Sequence, residues 1–325
     1  MIMYKSPFRV SLFGGGTDYR TYLETNDIGM CIGFAIDKYS YVSVRELPPF
    51  FKHKIRAIYS EIEQANNVDE LKHNGIKNAL IKFGLSDNSL EIHHSSDLPT
   101  KTGLGTSSAF LVALSAALYD LKFNDAPTKT FLGAVASAIE QSYSNVGMQD
   151  HYFSSYGEMG ELCFHGLQKI EYVKYHQDVR SLFENNGLLF FTGIERNASD
   201  VVGNYINKIP NDENQSQIFD IASQVSLAIY RNKLTLAKAG QYLHDSWECK
   251  KKIDPSISND KINYICDGCL KLGAIGVKLC GAGLGGTIYL LSEPKFHNKI
   301  IEFCINEGCI HIPFNISESG ATKIL

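Results

Sequence analysis

One stretch of this 325-residue chain constrains its fold and chemistry more than any other. It is a loop rich in glycine and hydroxyl side chains, residues 98–109 (LPTKTGLGTSSA), and the apolar residues that follow it to position 121 recur at helical spacing. Glycines let a backbone approach an oxyanion closely, and the N–H groups at the start of a helix point toward such an anion. The sequence therefore predicts that this 98–109 loop binds a phosphate group through Gly103, Leu104, Gly105, Thr106, Ser107 and Ser108.

Simpler interpretations of the loop explain less of it. A flexible loop with a serine cap on a core helix accounts for Ser107 or Ser108, but not for two glycines together with three hydroxyl groups. The loop is not a Walker A loop because no lysine follows its final glycine, and the HRD and DFG triplets of protein kinases do not occur. The interpretation that accounts for the whole loop is therefore a phosphate-binding loop of another type.

Charge and hydropathy favour a small-molecule partner. The 31 Lys and Arg residues against 35 Asp and Glu residues give a net charge of -4, which has the wrong sign for non-specific nucleic-acid binding. No segment approaches the roughly 18 uninterrupted apolar residues that span a bilayer, and the first residues lack the apolar core of a signal peptide. We therefore expect a cytoplasmic protein with neither a nucleic acid nor a membrane as partner.

Strand and helix patterns occur along the whole chain and predict an α+β fold. Strands are predicted at 9–13, 32–36, 39–45, 90–94, 162–164, 170–175, 187–192, 277–280 and 287–291, and helices at 69–83, 108–121, 129–142, 199–209, 214–231, 234–251 and 261–272. Polar residues at 177–184 separate a strand-rich half from a helix-rich half. The pattern predicts two domains, residues 1–178 and 179–325.

Eight cysteines are scattered through the chain, and only Cys266 and Cys269 form a CxxC motif. That motif falls in a predicted helix and has neither a second CxxC nor a nearby ligating histidine. We predict that both thiols are buried by packing and that they bind no metal.

Two further glycine-containing segments complete a set of three with the 98–109 loop. The first is PFRVSLFGGGTDY at 7–19, and the last is KLCGAGLGG at 278–286. In order and spacing the three resemble the motifs of the GHMP kinases, the small-metabolite kinases named for galactokinase, homoserine kinase, mevalonate kinase and phosphomevalonate kinase. Within that family, GGGTDY together with Thr192, Gly193 and Arg196 is similar to the D-glycero-D-manno-heptose 7-phosphate kinases.

The resemblance implies a two-domain GHMP kinase fold, with an N-terminal domain like domain 2 of ribosomal protein S5 and a ferredoxin-like C-terminal domain. It implies ATP and Mg²⁺ as cofactors and transfer of the γ-phosphoryl group to the anomeric hydroxyl of the heptose 7-phosphate. The 1,7-bisphosphate product would supply nucleotide-activated heptose for surface polysaccharides. The expected partners are the sugar phosphate and ATP, and the chain is expected to act as a monomer or homodimer.

Two alternatives stay open from the sequence. One is a kinase for the C1 hydroxyl of another sugar or sugar phosphate, like galactokinases or fucokinases. The other is a sugar-binding protein of the same fold without catalysis, which the presence of Ser107, Glu140 and Asp150 disfavours.

The last motif also satisfies GxGxxG, through Gly281, Gly283 and Gly286. A dinucleotide-binding fingerprint must open a helix, whereas residues 287–291 have the pattern of a strand. The resemblance instead implies a glycine turn that packs against the active site from the second domain. A hairpin whose glycines are purely structural is the alternative.

Two carboxylates are candidates for the reaction itself. Glu140 lies in a largely apolar helix, where an isolated carboxylate is costly unless it is paired or binds a metal, and the resemblance implies that Glu140 and Ser107 hold Mg²⁺. Asp150 follows a glycine as the family's catalytic aspartate does. It is predicted to orient the attacking hydroxyl and take its proton late, with Arg9 nearby to keep it ionised. Its neighbour His151 is predicted to be a packing or surface residue.

The first motif is predicted to contact the sugar, with Asp18 accepting hydrogen bonds from two vicinal hydroxyls. Galactokinases have Glu and His at the positions of Gly15 and Gly16, so the sequence argues against galactose. Arg196 is predicted to bind a distal phosphate or to pair with a surface acid, and Lys101 is the second candidate for the phosphate. The predicted substrate-binding residues are Arg9, Gly15, Gly16, Thr17, Asp18, Tyr19, Asp150 and Arg196.

Overall fold

The computed structural model describes residues 1–194, 203 and 205–325, and the strands of these residues form two sheets. The strands are β1 (Ile2–Phe13), β2 (Ile28–Glu46), β3 (Ile55–Ile58), β4 (Ile62–Ala65), β5 (Leu90–Ser96), β6 (Met159–His165), β7 (Lys169–Lys174), β8 (Gly187–Phe191), β9 (Ala274–Leu279), β10 (Thr287–Ser292), β11 (Ile310–His311) and β12 (Thr322–Lys323). The α-helices are α1 (Arg20–Asn26), α2 (Asn74–Phe83), α3 (Thr106–Phe123), α4 (Lys129–Gln141), α5 (Gln149–Tyr156), α6 (Gln177–Asn185), α7 (Glu213–Tyr230), α8 (Leu236–Ile253), α9 (Asp260–Lys271) and α10 (His297–Asn306). Short 3₁₀ turns lie at Val68–Glu70, Ile209–Asn211, Pro255–Ile257 and Pro294–Phe296.

The larger sheet has the order β12-β1-β2-β5-β3-β4, with β6 paired to β2 and β7 to β6. Its longest strand is β2, for which the sequence predicted two separate runs. The strand stays continuous because its first half pairs with β6 and its second half with β5, while β1 pairs with most of its length. The end of the chain returns to this sheet, since β12 pairs with β1.

The smaller sheet has the order β11-β8-β10-β9, and all its neighbours are antiparallel. Along the chain β8 is followed by helices, then by β9 and β10, then by α10 and β11. This is the β-α-β-β-α-β connectivity of a ferredoxin-like unit, which confirms the expected C-terminal architecture.

Helix α3 is buried along most of its length and packs against β1, β2, α2, α4 and α5. Such a helix is fixed in place by apolar contacts on all sides. The 98–109 loop, which leads into it, is therefore anchored at a defined position.

Two further predicted segments differ from the structure. The predicted helix 69–83 begins only at Asn74, because the His73 side chain caps its first turn by accepting the Ile76 N–H. The polar segment 177–184, taken as a domain boundary, forms α6 instead, whose Phe183 is buried in the core. The division at 178 stays a prediction.

Among the described residues, none of the helices combines the length and the apolar character that crossing a bilayer requires.

Candidate active site

All three glycine-containing motifs contribute to one cavity of about 470 Å³. Its walls come from β1, the 98–109 loop, α4 and α5 on one side, and from α7, α8 and β9 on the other. The sequence predicted that the third motif packs here as a glycine turn. That prediction is confirmed, because Gly281 and Ala282 line the cavity and the Thr287 hydroxyl donates to the Thr102 carbonyl at 2.9 Å. The motif opens strand β10 rather than a helix.

Arg9 joins two of the predicted functional elements. Its Nε and Nη2 donate to the two carboxylate oxygens of Asp150 at 2.6 and 2.5 Å, and its Nη1 donates to the Gly103 carbonyl at 2.7 Å. Burial alone lowers the pKa of Arg9, but the adjacent Asp150 outweighs burial and raises it. The predicted Arg9–Asp150 pair is thus present, and the Asp150 side chain keeps 23% of its surface exposed, enough for a ligand to reach it.

The 98–109 loop turns into α3 through Gly105, whose φ of +71° is a conformation that favours glycine. Gly103, Gly105, Thr106, Ser107 and Ser108 all line the cavity. Leu104 does not: its side chain is buried in the core, and its carbonyl accepts the Arg9 N–H at 3.0 Å. Its side chain therefore has no part in phosphate binding, and a contact of its backbone N–H with a phosphate stays a prediction.

Glu140 lies at the cavity wall but is almost completely buried. Its Oε1 accepts from the Ser107 hydroxyl at 2.6 Å, and its Oε2 accepts from the Ser108 hydroxyl at 2.8 Å and contacts His151 Nε2 at 2.6 Å. Burial acts to raise the pKa of Glu140, but the hydrogen bonds from His151 and the two serines outweigh burial and hold that pKa below its usual value. The sequence argument that this carboxylate must have partners is confirmed.

His151 is a partner that the sequence interpretation missed. Its side chain is fully buried, so a surface position is wrong, and it contacts Glu140 rather than only packing. The sequence offered one signal: Asp150 and His151 are consecutive, so in the first turn of a helix they project in different directions. Helix α5 was not predicted, and without it this geometry could not be inferred.

The first motif forms a tight loop after β1. Asp18 is fully buried, and its carboxylate accepts the Gly16 N–H at 3.2 Å, the Gln149 N–H at 3.0 Å and the Gln149 Nε2 at 2.9 Å. Burial raises the pKa of Asp18 although the backbone donors oppose that shift. Gly15, Gly16, Asp18 and Tyr19 line the cavity, and their contacts with a sugar stay predictions; both Asp18 oxygens already accept hydrogen bonds within the protein.

Thr17 is corrected. Its side chain is fully buried and does not line the cavity; the hydroxyl donates to the Gly14 and Met30 carbonyls at 2.8 and 2.9 Å. Thr17 therefore holds the loop to β2.

The two candidates for a distal phosphate differ in position. Arg196 lies outside the described residues. Lys101 is exposed and lines the cavity within the 98–109 loop itself, so it does not form a second cationic pocket away from that loop.

Two cavity-lining lysines were not singled out from the sequence. Lys278 in β9 is buried; its ammonium group donates to the Leu12 carbonyl, and burial lowers its pKa to about 8. Lys250 in α8 donates to the Gly281 carbonyl. In the sequence, Lys278 could have been recognised as a lysine within an otherwise apolar strand.

We expect Lys278 to make folding stability depend on pH. Its pKa is about 8 in the folded protein against 10.5 for an unperturbed lysine, so between these values the unfolded chain binds more protons. The burial cost of its charge is therefore fully present below about pH 8 and disappears as the pH rises toward 10. In urea unfolding, wild type should gain stability relative to Lys278→Met between pH 7.5 and about 9.5. A difference independent of pH would contradict the lowered pKa.

Comparisons with known proteins agree with this geometry. Residues 72–158 match the family model of the GHMP kinases N terminal domain, and residues 230–311 match that of the GHMP kinases C terminal domain. A D-glycero-alpha-D-manno-heptose 7-phosphate kinase from Campylobacter jejuni is 26% identical over 98% of this chain and 97% of its own. A galactokinase from Thermococcus kodakarensis is 23% identical over 89% of this chain and 88% of its own. The crystal structure of a D-glycero-D-manno-heptose 1-phosphate kinase from Bacteroides thetaiotaomicron superposes with a TM-score of 0.79 at 21% identity, covering 100% and 99% of the two chains.

Proposed function

Because this chain belongs to the GHMP kinase family, whose sugar kinases are phosphotransferases, we propose that it transfers the γ-phosphoryl group of ATP to the anomeric hydroxyl of D-glycero-D-manno-heptose 7-phosphate. The product would be the 1,7-bisphosphate. One observation carries the chemical part of this proposal: Arg9 binds both Asp150 and the carbonyl of Gly103. A hydroxyl held at Asp150 therefore lies next to phosphates held by the 98–109 loop.

The loop supplies the donors that ATP phosphates need. Gly103 and Gly105 allow a close approach of the backbone, and Thr106, Ser107 and Ser108 present hydroxyls and N–H groups in the first turn of α3. The positive end of the helix dipole adds to their attraction for phosphate. Beyond the loop the cavity continues to His73, Gly75 and Tyr143, and we place the nucleoside there, because Asp18 and Asp150 occupy the other end.

Asp150 acts on the acceptor. Its carboxylate is fixed by two charge-assisted hydrogen bonds from Arg9, so its remaining lone pairs accept the acceptor hydroxyl in one orientation. In phosphoryl transfer most of the catalysis comes from such positioning, and the proton passes to the carboxylate late. The two hydrogen bonds from Arg9 hold the carboxylate in place for this transfer.

The residues at the loop fit the Mg²⁺ that the family implies. Mg²⁺ prefers one or two carboxylate or hydroxyl oxygens together with substrate phosphates. Ser107 Oγ and Glu140 Oε1 are 2.6 Å apart at the cavity wall, and the Glu140 carboxylate is held ionised. When bound, the ion neutralises charge on the transferring phosphoryl group. Ser107 and Glu140 are the residues that would hold it, and Ser108 and His151 orient the carboxylate.

Glu140→Gln and Ser107→Ala should each raise the Mg²⁺ concentration for half-maximal rate by about 10-fold, since each removes an oxygen ligand or its orienting partner. The Mg²⁺ dependence of ADP binding, followed by calorimetry, should shift in the same direction. Ser115→Ala is the control. Ser115 is buried in α3, the helix that also contains Ser107, and its hydroxyl has no partner in the described structure. Unchanged Mg²⁺ dependence in both variants would move the cation elsewhere.

The choice of heptose rests on the sugar end of the cavity. Gly15 has no side chain to fill it, and we propose that this favours a sugar larger than a hexose, whereas the space beside Gly16 is taken by the Gln215 side chain. The relative from Campylobacter jejuni carries a heptose 7-phosphate in its name. Arg196 remains the proposed residue for the distal phosphate.

A coupled ADP-release assay with Mg²⁺ tests the function, using heptose 7-phosphate, the unphosphorylated heptose, galactose and fucose. The proposal expects turnover with heptose 7-phosphate and identification of the 1-phosphate product by NMR. Arg196→Ala should raise KM for the phosphorylated sugar and leave KM for a sugar without the distal phosphate unchanged. Preference for an unphosphorylated sugar would overturn the heptose 7-phosphate assignment.

A C1 kinase of another sugar is the second candidate, favoured by the galactokinase from Thermococcus kodakarensis. Galactose as the preferred substrate in the same assay would support this candidate.

A further inference from the structure

Gln149 stands at the sugar end of the cavity, one residue before Asp150. It is the first residue of α5, it lines the cavity, and only 7% of its surface is exposed. None of the roles derived above uses its side chain.

The orientation of its carboxamide is fixed. Nε2 donates to Asp18 Oδ1 at 2.9 Å, and the backbone N–H of Gln149 donates to Asp18 Oδ2 at 3.0 Å. Oδ1 also accepts the Gly16 N–H, so Asp18 acts as an acceptor on both oxygens. Turning the amide over would bring Oε1, an acceptor, against an Asp18 oxygen that already accepts a backbone N–H.

This arrangement leaves Oε1 as a buried acceptor without a hydrogen-bond partner in the part of the chain that the structure describes. Buried polar atoms in native proteins are nearly always hydrogen-bonded, and exceptions occur at binding sites. Gln149 lines the cavity, so a ligand held there lies beside this residue.

The missing partner must be a donor, since Oε1 can only accept. Gln149 and Asp150 both line the cavity, and Gln149 is hydrogen-bonded to Asp18 at its sugar end, so one sugar held there can contact both. Asp150 takes the hydroxyl that is phosphorylated, which leaves another hydroxyl of the same sugar for Gln149.

We propose that Gln149 determines acceptor specificity by accepting a hydrogen bond from a sugar hydroxyl other than the one that is phosphorylated, with Asp18 holding the amide in the accepting orientation. This inference rests on the proposed sugar-kinase function. A site built to bind a hydroxyl discriminates strongly against a substrate that lacks it, because its own polar group is then left unpaired.

The test measures kcat/KM by ADP release for wild type and Gln149→Met, with heptose 7-phosphate and with its monodeoxyfluoro analogues at each non-reacting hydroxyl. Fluorine keeps the size of a hydroxyl but cannot donate. For one analogue we expect wild type to lose about 10-fold. In Gln149→Met that loss should shrink to within about 2-fold, because the acceptor is already gone. If this variant does not fold, Gln149→Leu replaces it.

Gln215→Leu is the matched control. Gln215 also lines the cavity, but its Nε2 donates to the Gly15 carbonyl, so this variant should keep the full penalty for that analogue. A purely structural role of Gln149 would lower kcat/KM for all acceptors by the same factor and leave every ratio unchanged.

Two results overturn the inference: all analogue penalties persist in Gln149→Met, or wild type tolerates every analogue. If wild type does not phosphorylate heptose 7-phosphate, the proposed acceptor is wrong, and the role of Gln149 is not yet decided by that result. The analogue series is then made from the sugar that is phosphorylated, and the same comparison decides the role of Gln149.

Discussion

Asp150→Asn is expected to lower kcat by about 100-fold or more while ATP binding is retained. Asparagine keeps the shape of the side chain and one oxygen that Arg9 can reach, but it cannot take the proton of the acceptor hydroxyl. Its neutral amide also orients that hydroxyl less strongly than a carboxylate does. Steady-state kinetics give kcat, and calorimetry with ADP gives nucleotide affinity.

A carboxylate outside the cavity provides the control for this variant. Glu161 in β6 accepts hydrogen bonds from Tyr175, Ser226 and Tyr230 and does not line the cavity. Glu161→Gln should therefore leave kcat within about 2-fold of wild type. Normal turnover in Asp150→Asn would remove Asp150 from the mechanism, and an equal loss in Glu161→Gln would assign the effect to general destabilisation.

The parts of the site that the sequence predicted are those encoded in short segments. The 98–109 loop precedes a strongly apolar helix, and Glu140 stands out in the pattern of α4, so both could be recognised locally. Helix α5 could not, because it buries Gln149, His151, Ser154 and Ser155 and so lacks an apolar period. Two of these polar residues are buried against the site, where Gln149 contacts Asp18 and His151 contacts Glu140.

Contacts between segments that are distant in the chain could also not be predicted from the sequence. The Lys278 ammonium group donates to the carbonyl of Leu12, 266 positions earlier in the chain, and only the tertiary fold brings the two together. Thr17 looked like a sugar contact because it lies between Gly16 and Asp18, yet its side chain turns toward Met30. Which way a loop residue points depends on the strand beneath it.

Arg9→Met is expected to lower the free energy of unfolding by about 3 kcal/mol, the low end of the range for breaking a buried ion pair, because the Asp150 side chain keeps 23% of its surface exposed. Arg9 is only 4% exposed, and its loss leaves both the Asp150 carboxylate and the Gly103 carbonyl without their donor. Urea unfolding measures the change. Arg20→Met is the control, since Arg20 pairs with Glu24 on the surface and should contribute less than about 1 kcal/mol.

The double variant Arg9→Met with Asp150→Asn separates the loss of attraction from the cost of an unpaired charge. If the carboxylate left behind causes most of the destabilisation, neutralising it should restore part of the stability, so the double variant should be more stable than Arg9→Met alone. If the changes in unfolding free energy of the two single variants simply add in the double variant, Arg9 stabilises the fold mainly through Gly103 and packing. In either case the activity of the double variant should stay low, because the acceptor hydroxyl has lost its carboxylate. Recovered stability without turnover is expected if Arg9 and Asp150 form a catalytic pair. A purely structural pair would not give this combination.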